Sequence, residues 1–318
     1  MMKPSRVEEL FAKNRTIYMN SPEWRFISAI TDGCVDEAVA LFGDSRRYGQ
    51  GALKVDTPYA AFEGTDGIRR MAEGWLDVFA ATSAVAVPVA QTRAGGRSVT
   101  ELVLHYQTAD GAEHAAPMAA VAELKENDQM DELRLYYHWR MVPGSPAYRP
   151  PLFPEQTDGT TRQEMISGAV GDYFRRLHDP NGGIVEHAAD IFADPVCFGG
   201  YEPKHMDSSF GPVERQGFVE HLAGNIGHTL SAYVKLRMET IIDDGRICCV
   251  EWEQLVTKAG REEAGRISQA GISFYERDDT GRIWSVRIID YAYAEKEIDW
   301  TTARKPRAEA EAMNYLGK

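Results

Sequence analysis

Two halves of this chain repeat one another at a fixed offset, and a repeat of that length constrains the fold more than any other feature. Ala38 and Ala188, Leu41 and Ile191, Phe42 and Phe192, Tyr48 and Phe198, Gly49 and Gly199, Gly67 and Gly217, and Ile68 and Phe218 are each 150 residues apart. Between the halves, Pro143, Pro146, Pro150, Pro151 and Pro154 crowd into a stretch that can be neither regular helix nor central strand, because proline lacks the backbone donor. The pattern predicts a first domain over 1–142, a linker over 143–159, a second domain over 160–300 and a tail helix over 301–318. With 318 residues in all, each half is long enough to bury a core of its own.

Both halves present the same order of elements. An early helix is predicted at Pro22–Thr31 and at Arg162–Leu177, and a second at Val35–Phe42 and at Ile184–Phe192. A short extended segment, a third helix and a meander then follow. Turn signals at Gly95-Gly96, Asp110-Gly111 and Glu126-Asn127-Asp128 cut the first meander into four strands, and Asp244-Gly245, Ala259-Gly260 and Asp278-Asp279-Thr280-Gly281 do the same for the second. Each half is therefore α+β. The third helix is the clearest, with Ile68, Met71, Ala72, Trp75, Leu76 and Phe79 at i, i+3, i+4, i+7, i+8 and i+11. At the same offset the second half carries His221 for Met71 and Asn225 for Trp75. Two polar groups on an inward stripe mark either a core whose polar groups are satisfied internally or a polar pocket. Val7, Leu10, Phe11 and Ile17 can form an extra amphipathic helix, and this helix or the tail helix could cover exposed edges or join copies into a homo-oligomer.

A formal net charge of -13 opposes nucleic acid and anionic membranes as partners. Cys34, Cys197, Cys248 and Cys249 lack C-x-x-C spacing and read as reduced thiols that fill core space, with no metal site. No apolar leader follows Met1, and no apolar run approaches a membrane span, so a cytoplasmic location is expected. Neither a glycine-rich phosphate loop, nor H-E-x-x-H, nor G-x-S-x-G occurs, and no cofactor is expected.

Leu133-Arg134-Leu135-Tyr136-Tyr137-His138-Trp139 closes the first meander as a strand, and Val286-Arg287-Ile288-Ile289-Asp290-Tyr291 closes the second. Strand alternation puts Arg134, Tyr136 and His138 on one face, about 7 Å between neighbours. A cation, a phenol and a base near neutrality in one row suit proton transfer, with His138 as base and Arg134 beside a developing oxyanion. The alternative is that Leu133, Leu135, Tyr137 and Trp139 face the core and the row faces another surface. Alternation alone does not orient the strand. Candidate substrate contacts are Tyr48, Tyr59, His105, Tyr201, His221, Asn225 and Asp290. Glu251 and Glu253 share a strand face.

The pattern of Leu41-Phe42 before the Tyr48 segment, Phe62-Glu63-Gly64 leading into Gly67-Ile68-Arg69, and Leu133 to His138 resembles the nuclear-transport-factor-2-like superfamily, which includes SnoaL-type polyketide cyclases and ketosteroid isomerases. Ile191-Phe192-Ala193-Asp194, Gly217-Phe218 and Gly281-Arg282-Ile283 leading into Val286–Tyr291 carry the resemblance in the second half. It implies two tandem cone-shaped α+β barrels, each with three helices packed on a curved antiparallel sheet and an open end that admits a hydrophobic ligand. Ketosteroid isomerases carry a tyrosine on the first helix, a base on the first strand and an acid on the third meander strand. Those positions fall near Phe26 and Phe174, near Gln50 and Gly200, and near Met118 or Ala119 and Gly271, so that mechanism is not expected. The aspartate that SnoaL-type proteins place on the last strand corresponds to His138 and Tyr291. Asp290 is displaced by one residue, which turns it to the other face.

The resulting expectation is a cofactor-independent acid/base lyase or isomerase on a hydrophobic aromatic or polycyclic small molecule. Dehydration, cyclisation and C–C cleavage, such as deformylation of a diarylpropane-type diol, are the reaction types in view. The alternative is a non-catalytic binding or assembly module. Whether either interior is open is the discriminator: were both filled by side chains such as Trp75, Trp139 and Trp252, binding at a cone would lose its basis.

Overall fold

Two units, divided between Leu152 and Phe153, each place three helices against a six-stranded sheet. The computed structural model describes residues 20–43, 53–137, 166–178, 183–200, 211–230, 233–257 and 266–294. In unit 1 the elements are α1 (Pro22–Thr31), α2 (Val35–Ala40), β1 (Lys54–Asp56), β2 (Ala61–Glu63), α3 (Gly64–Val78), β3 (Ala81–Ala94), β4 (Arg97–Thr108), β5 (Glu113–Leu124) and β6 (Met130–Tyr137). Unit 2 contains α4 (Gly168–His178), α5 (Ala188–Ile191), β7 (Phe192–Gly200), β8 (Gly211–Val213), α6 (Arg215–Leu230), β9 (Tyr233–Asp243), β10 (Ile247–Thr257), β11 (Arg266–Arg277) and β12 (Ile283–Ala294). The strand orders match, β2-β1-β6-β5-β4-β3 and β8-β7-β12-β11-β10-β9. All pairings are antiparallel except β1 with β6 and β7 with β12, which run parallel. No helix among the described residues is long and apolar enough to cross a membrane.

Local sequence explains most of these elements. α1 opens on Pro22, whose missing N–H costs nothing in the first turn, with Glu23 beside the positive end of the helix dipole. α3 buries Gly67, Ile68, Met71, Ala72, Trp75 and Val78, so four members of the predicted stripe are inside; Leu76 is half-buried, and Phe79 is buried at the cap just beyond the helix. Gly95 and Gly96 both adopt positive φ, which the tight β3–β4 turn requires. The second helix of each unit is shorter than its periodicity suggests: the sheet claims its last residue, since Phe42 bridges to Met130 and Phe192 pairs with Ile283, and in unit 2 residues 184–187 form turns ahead of Ala188. α4 begins at Gly168, and residues 162–165 of the predicted helix lie outside the described residues.

The register refines the repeat. Phe42 and Phe192 hold equivalent places, but Phe198 pairs with Val286 as Val55 pairs with Leu133. The counterpart of Phe198 is therefore Val55 rather than Tyr48. Unit 1 carries seven extra residues between its two pairings with the closing strand, and Tyr48 falls in that insertion, outside the described residues. The closing strands match at an offset of 153, Arg134 with Arg287 and Tyr137 with Asp290.

Each sheet buries both faces. In unit 1 the face toward the helices holds Leu102, Leu104, Tyr106, Met118, Ala120, Leu133, Leu135 and Tyr137, packed with Trp75 and Phe79. On the opposite face Arg134 is fully buried and donates to Glu123 at 2.9 Å and to Glu132 at 3.0 Å. Arg97 donates to Glu123 at 2.9 Å, and Lys54 meets Glu132 at 3.3 Å. Burial alone raises the Glu123 carboxyl, but the Arg134 and Arg97 guanidiniums outweigh it and hold it below the usual carboxylate range. Unit 2 repeats the network: Arg287 donates to Glu276 at 3.0 Å and to Ser285 at 2.9 Å, and Arg246 donates to Glu276 at 2.6 Å. Where unit 1 has the pair Lys54 and Glu132, unit 2 has Cys197 and Ser285, so a cation and an anion are exchanged together for two neutral groups.

Leaving one member of such a network buried without its partner is costly. Glu276→Gln is expected to lower unfolding free energy by about 3 kcal/mol in urea titrations, since Arg287 is buried completely. Asp172→Asn, at the exposed pair with Arg175, is expected to change it by no more than about 0.5 kcal/mol.

Candidate functional site

The interior between helices and sheet differs between the units, and the difference follows from single positions. In unit 1, Met71 and Trp75 on α3, Met118 on β5 and Tyr137 on β6 are each 3% exposed or less. Phe79 ties them together, with its ring centroid 5.6 Å from Trp75 and 5.2 Å from Tyr137. The counterparts in unit 2 are His221, Asn225, Gly271 and Asp290. Four large side chains that fill unit 1 thus become polar or absent.

Exposure follows the exchange. Phe198, Leu222, Ile241, Trp252 and Ile288 pack against the core of unit 2 but remain partly exposed. Their counterparts Val55, Ala72, Gln91, Leu102 and Leu135 are all buried. Deeper in unit 2 the interior closes around Tyr173, Phe174, Phe192, Cys248, Val250, Tyr275 and Val286.

Hydroxyl groups line that deep end. Tyr173 on α4 shares a hydrogen bond with Tyr275 on β11, and Tyr275 shares one with Ser273. Trp252 Nε1 donates to Ser273 Oγ at 2.7 Å. Burial pushes both phenols above their ordinary value. Both stay protonated at neutral pH. Such a chain can hold a ligand oxygen on which negative charge develops.

Unit 1 closes its equivalent end with a carboxyl. Glu23 on α1 is fully buried, and its Oε1 accepts from Ser98 at 2.7 Å and from Thr100 at 2.8 Å. Gln91 donates to Thr100 at 2.8 Å and to Ser21 at 2.7 Å. Glu23 Oε2 has no hydrogen-bond partner among the described residues. Burial raises this carboxyl above its ordinary value, and the hydroxyls of Ser98 and Thr100 offset the rise only in part.

Several sequence expectations change here. Arg134 and Tyr136 do not line the interior: Leu133, Leu135 and Tyr137 face the helices, so alternation turns the Arg134 row to the ion-paired face. His138 lies outside the described residues, as do Tyr48 and Tyr201. Tyr59 is a core residue set edge-on to Phe62. His105 is buried at a register position opposite Ala115, on the face away from the helices. Glu251 is buried on the corresponding face of unit 2. His221 is not on the inward stripe, because α6 buries Phe218 and Val219 and leaves the His221 ring at the exposed rim, 5.6 Å from that of Phe198. Asn225 lies seven residues beyond Phe218 on the same helix. The backbone of Asp290 pairs with Gly271, in the alternation of Val286 and Ile288. Displacement by one residue therefore moves position 290 to the register that faces the helices.

Sequence reasoning missed Tyr173, Ser273 and Tyr275, and named Trp252 only as a side chain that could fill an interior. Tyr173 meets Phe192 edge-on, as Phe26 meets Phe42, so Tyr173 rather than Phe174 holds the first-helix position in unit 2. The expected absence of a first-helix tyrosine is thereby corrected for this unit. The available signal was the alternation Gly271, Ser273, Tyr275, which predicts one polar face on β11. Among the described residues no group of three or more His, Cys, Asp or Glu side chains is placed to hold a metal ion.

No family model and no curated protein matches the chain. Solved structures similar to it include a hypothetical protein with a ketosteroid isomerase-like fold from Catenulispora acidiphila, in complex with trimethylamine, at 16% identity over 39% of this chain and 89% of that one, TM-score 0.33. An NTF2-like protein of unknown function from Exiguobacterium is 13% identical over 36% of this chain and 94% of that one, TM-score 0.30. A protein from Kribbella flavida is 14% identical over 38% and 86%, TM-score 0.29. The architecture of two tandem α+β units, each with three helices on a six-stranded sheet, rests on the strand order and register themselves.

The raised Glu23 carboxyl has a definite sign in stability. A group raised on folding contributes stability that is complete below its unfolded value of 4.5 and is lost as pH climbs through the higher folded value. Thermal unfolding is expected to weaken with rising pH across that window, and Glu23→Gln, which stays neutral and keeps an acceptor for Ser98 and Thr100, is expected to flatten the profile. A melting series from pH 4 to pH 8 on both proteins measures it.

Proposed function

We propose that unit 2 binds a hydrophobic aromatic or polycyclic small molecule between its helices and sheet and moves a proton on it without a cofactor, as a lyase or isomerase. The observation that carries this reading is the partly exposed inner face of Phe198, Leu222, Trp252 and Ile288, each with a fully buried counterpart in unit 1. Unit 1 is then the structural copy, its interior closed by Trp75, Phe79 and Tyr137.

The chemistry divides along the depth of the interior. Apolar side chains at the open end withdraw the ring system of a ligand from water, worth roughly 25 cal/mol for each Å² of apolar surface removed. The hydroxyl chain of Ser273, Tyr275 and Tyr173 stands ready for a carbonyl or hydroxyl oxygen, and because its phenols remain protonated it stabilises an enolate or alkoxide as charge forms there. In this reading Asp290 is the base, two residues beyond Ile288 in the register facing the helices, and His221 stands at the rim beside Phe198. A carboxylate and a hydroxyl donor acting on one substrate suffice for proton abstraction next to a carbonyl, and hence for isomerisation or dehydration; in a retro-aldol cleavage the carboxylate takes the β-hydroxyl proton and the donor holds the enolate oxygen formed as the C–C bond breaks. Arg134, Tyr136 and His138 are not needed.

A screen of aromatic ketones and diols, read by mass spectrometry, tests the proposal. Tyr275→Phe is expected to lower turnover on any substrate found by about a hundredfold with little change in KM, as loss of a transition-state donor does. Asn225→Trp, which restores the residue of unit 1, is expected to abolish binding. Full turnover in Asn225→Trp, with the fold intact by circular dichroism, would place the reaction elsewhere.

A further inference from the structure

We infer that Trp252 is a stacking platform, so that the interior of unit 2 takes a planar aromatic ring in preference to a saturated ring of the same size. The inference rests on the binding reading above and names the kind of ring.

Trp252 on β10 stands directly opposite Gly271 on β11. A methyl group at Gly271 would come within 2.7 and 3.1 Å of two atoms of the indole and 2.6 Å of the Ile289 carbonyl oxygen. Only glycine leaves room for the indole to approach the backbone so closely. At its edge, the indole Nε1 donates to Ser273 Oγ at 2.7 Å, two residues further along the same strand. One side of the ring is thus held against a backbone and one edge by a hydrogen bond. Trp252 nevertheless remains partly exposed, as do Phe198 and Ile288 around the same core. A rigid indole with an accessible surface can stack on a flat π-system at little cost in side-chain freedom, whereas a puckered ring offers it only edge contacts.

An aromatic laid over a strand glycine can also be purely structural, covering a backbone that has no side chain of its own. Unit 1 argues against that need here, because it closes the same pair of positions with Leu102 opposite Met118, 2% and 3% exposed. The fold is therefore satisfied by two aliphatic side chains that bury each other. Unit 2 instead holds a partly exposed aromatic in place by a glycine and a hydrogen bond, an arrangement that leaves surface for something else.

Titrations of the full chain with 2-naphthol and with its saturated counterpart, a decalol, followed by calorimetry, test the inference. The wild type is expected to bind naphthol roughly tenfold more tightly than decalol, the scale of an aromatic pair beyond its area. Trp252→Phe is expected to keep the preference, and Trp252→Leu to bring the two affinities within about twofold. Gly271→Ala, which displaces the indole, is expected to weaken naphthol specifically. If Trp252→Leu lowers the melting temperature yet leaves the naphthol-to-decalol ratio unchanged, the tryptophan is structural and the inference is wrong. Asn225→Trp separates this from the reading beneath it: loss of both probes there, with an unchanged ratio in Trp252→Leu, overturns the platform alone. Naphthol binding that survives Asn225→Trp overturns both, as does failure of naphthol to bind the wild type.

Discussion

The space between the third helix and the sheet is the constraint on which the rest of each unit depends. A sheet of this kind buries alternate residues toward the helices, and whatever fills the gap decides whether the unit is a solid core or a container. Unit 1 fills it with Met71, Trp75, Met118 and Tyr137, all close to fully buried. Unit 2 keeps the strand order and register but carries Asn225, Gly271 and Asp290 at the positions of Trp75, Met118 and Tyr137, while His221 is turned out to the exposed side. Close packing tolerates such losses only where something else fills or lines the space.

The opposite face of each sheet has followed a different course. The network of Arg97, Glu123 and Arg134 recurs as Arg246, Glu276 and Arg287, although Ile247 rather than Arg246 stands opposite Glu276, and the exchange beside it of Lys54 with Glu132 for Cys197 with Ser285 conserves charge. A buried guanidinium without its carboxylate is so unfavourable that a pair can only be exchanged together. The two faces therefore changed independently: one kept its ionic bookkeeping while the other exchanged bulk for polarity. Polar groups did not leave the interior of either unit. Glu23 with its hydroxyl partners in unit 1 and the Tyr173, Tyr275 and Ser273 chain in unit 2 close comparable regions with different chemistry.

How much of this was legible in the sequence depends on the range of the signal. The repeat, the α1 and α3 helices and the glycine turns are local patterns, and they appear where the periodicity predicts them. The exposed position of His221 was not legible, because a helix can rotate by part of a turn to bury Val219 in place of a polar neighbour. Neither was the place of Tyr48, since a seven-residue insertion preserves the apparent offset at Phe42 and breaks it by Val55. Tyr173 escaped notice through a shift of one residue, which its contact with Phe192 corrects.

By itself the sequence determined that the chain holds two α+β copies, where the principal helices and hairpins lie, and which residues alternate on each strand, because these depend on neighbours a few positions apart. Only the tertiary structure decided which of the two alternating sets on β6 faces the helices, and so sent Arg134 and Tyr136 to the ion-paired face and Tyr137 to the interior. It also decided in which copy the inner residues are buried and in which several stay partly exposed. A strand's period of two defines two faces without saying which is inside, and that choice is made by what packs against them: the α3 stripe in unit 1, and in unit 2 the Phe218, Val219 and Leu222 edge of α6.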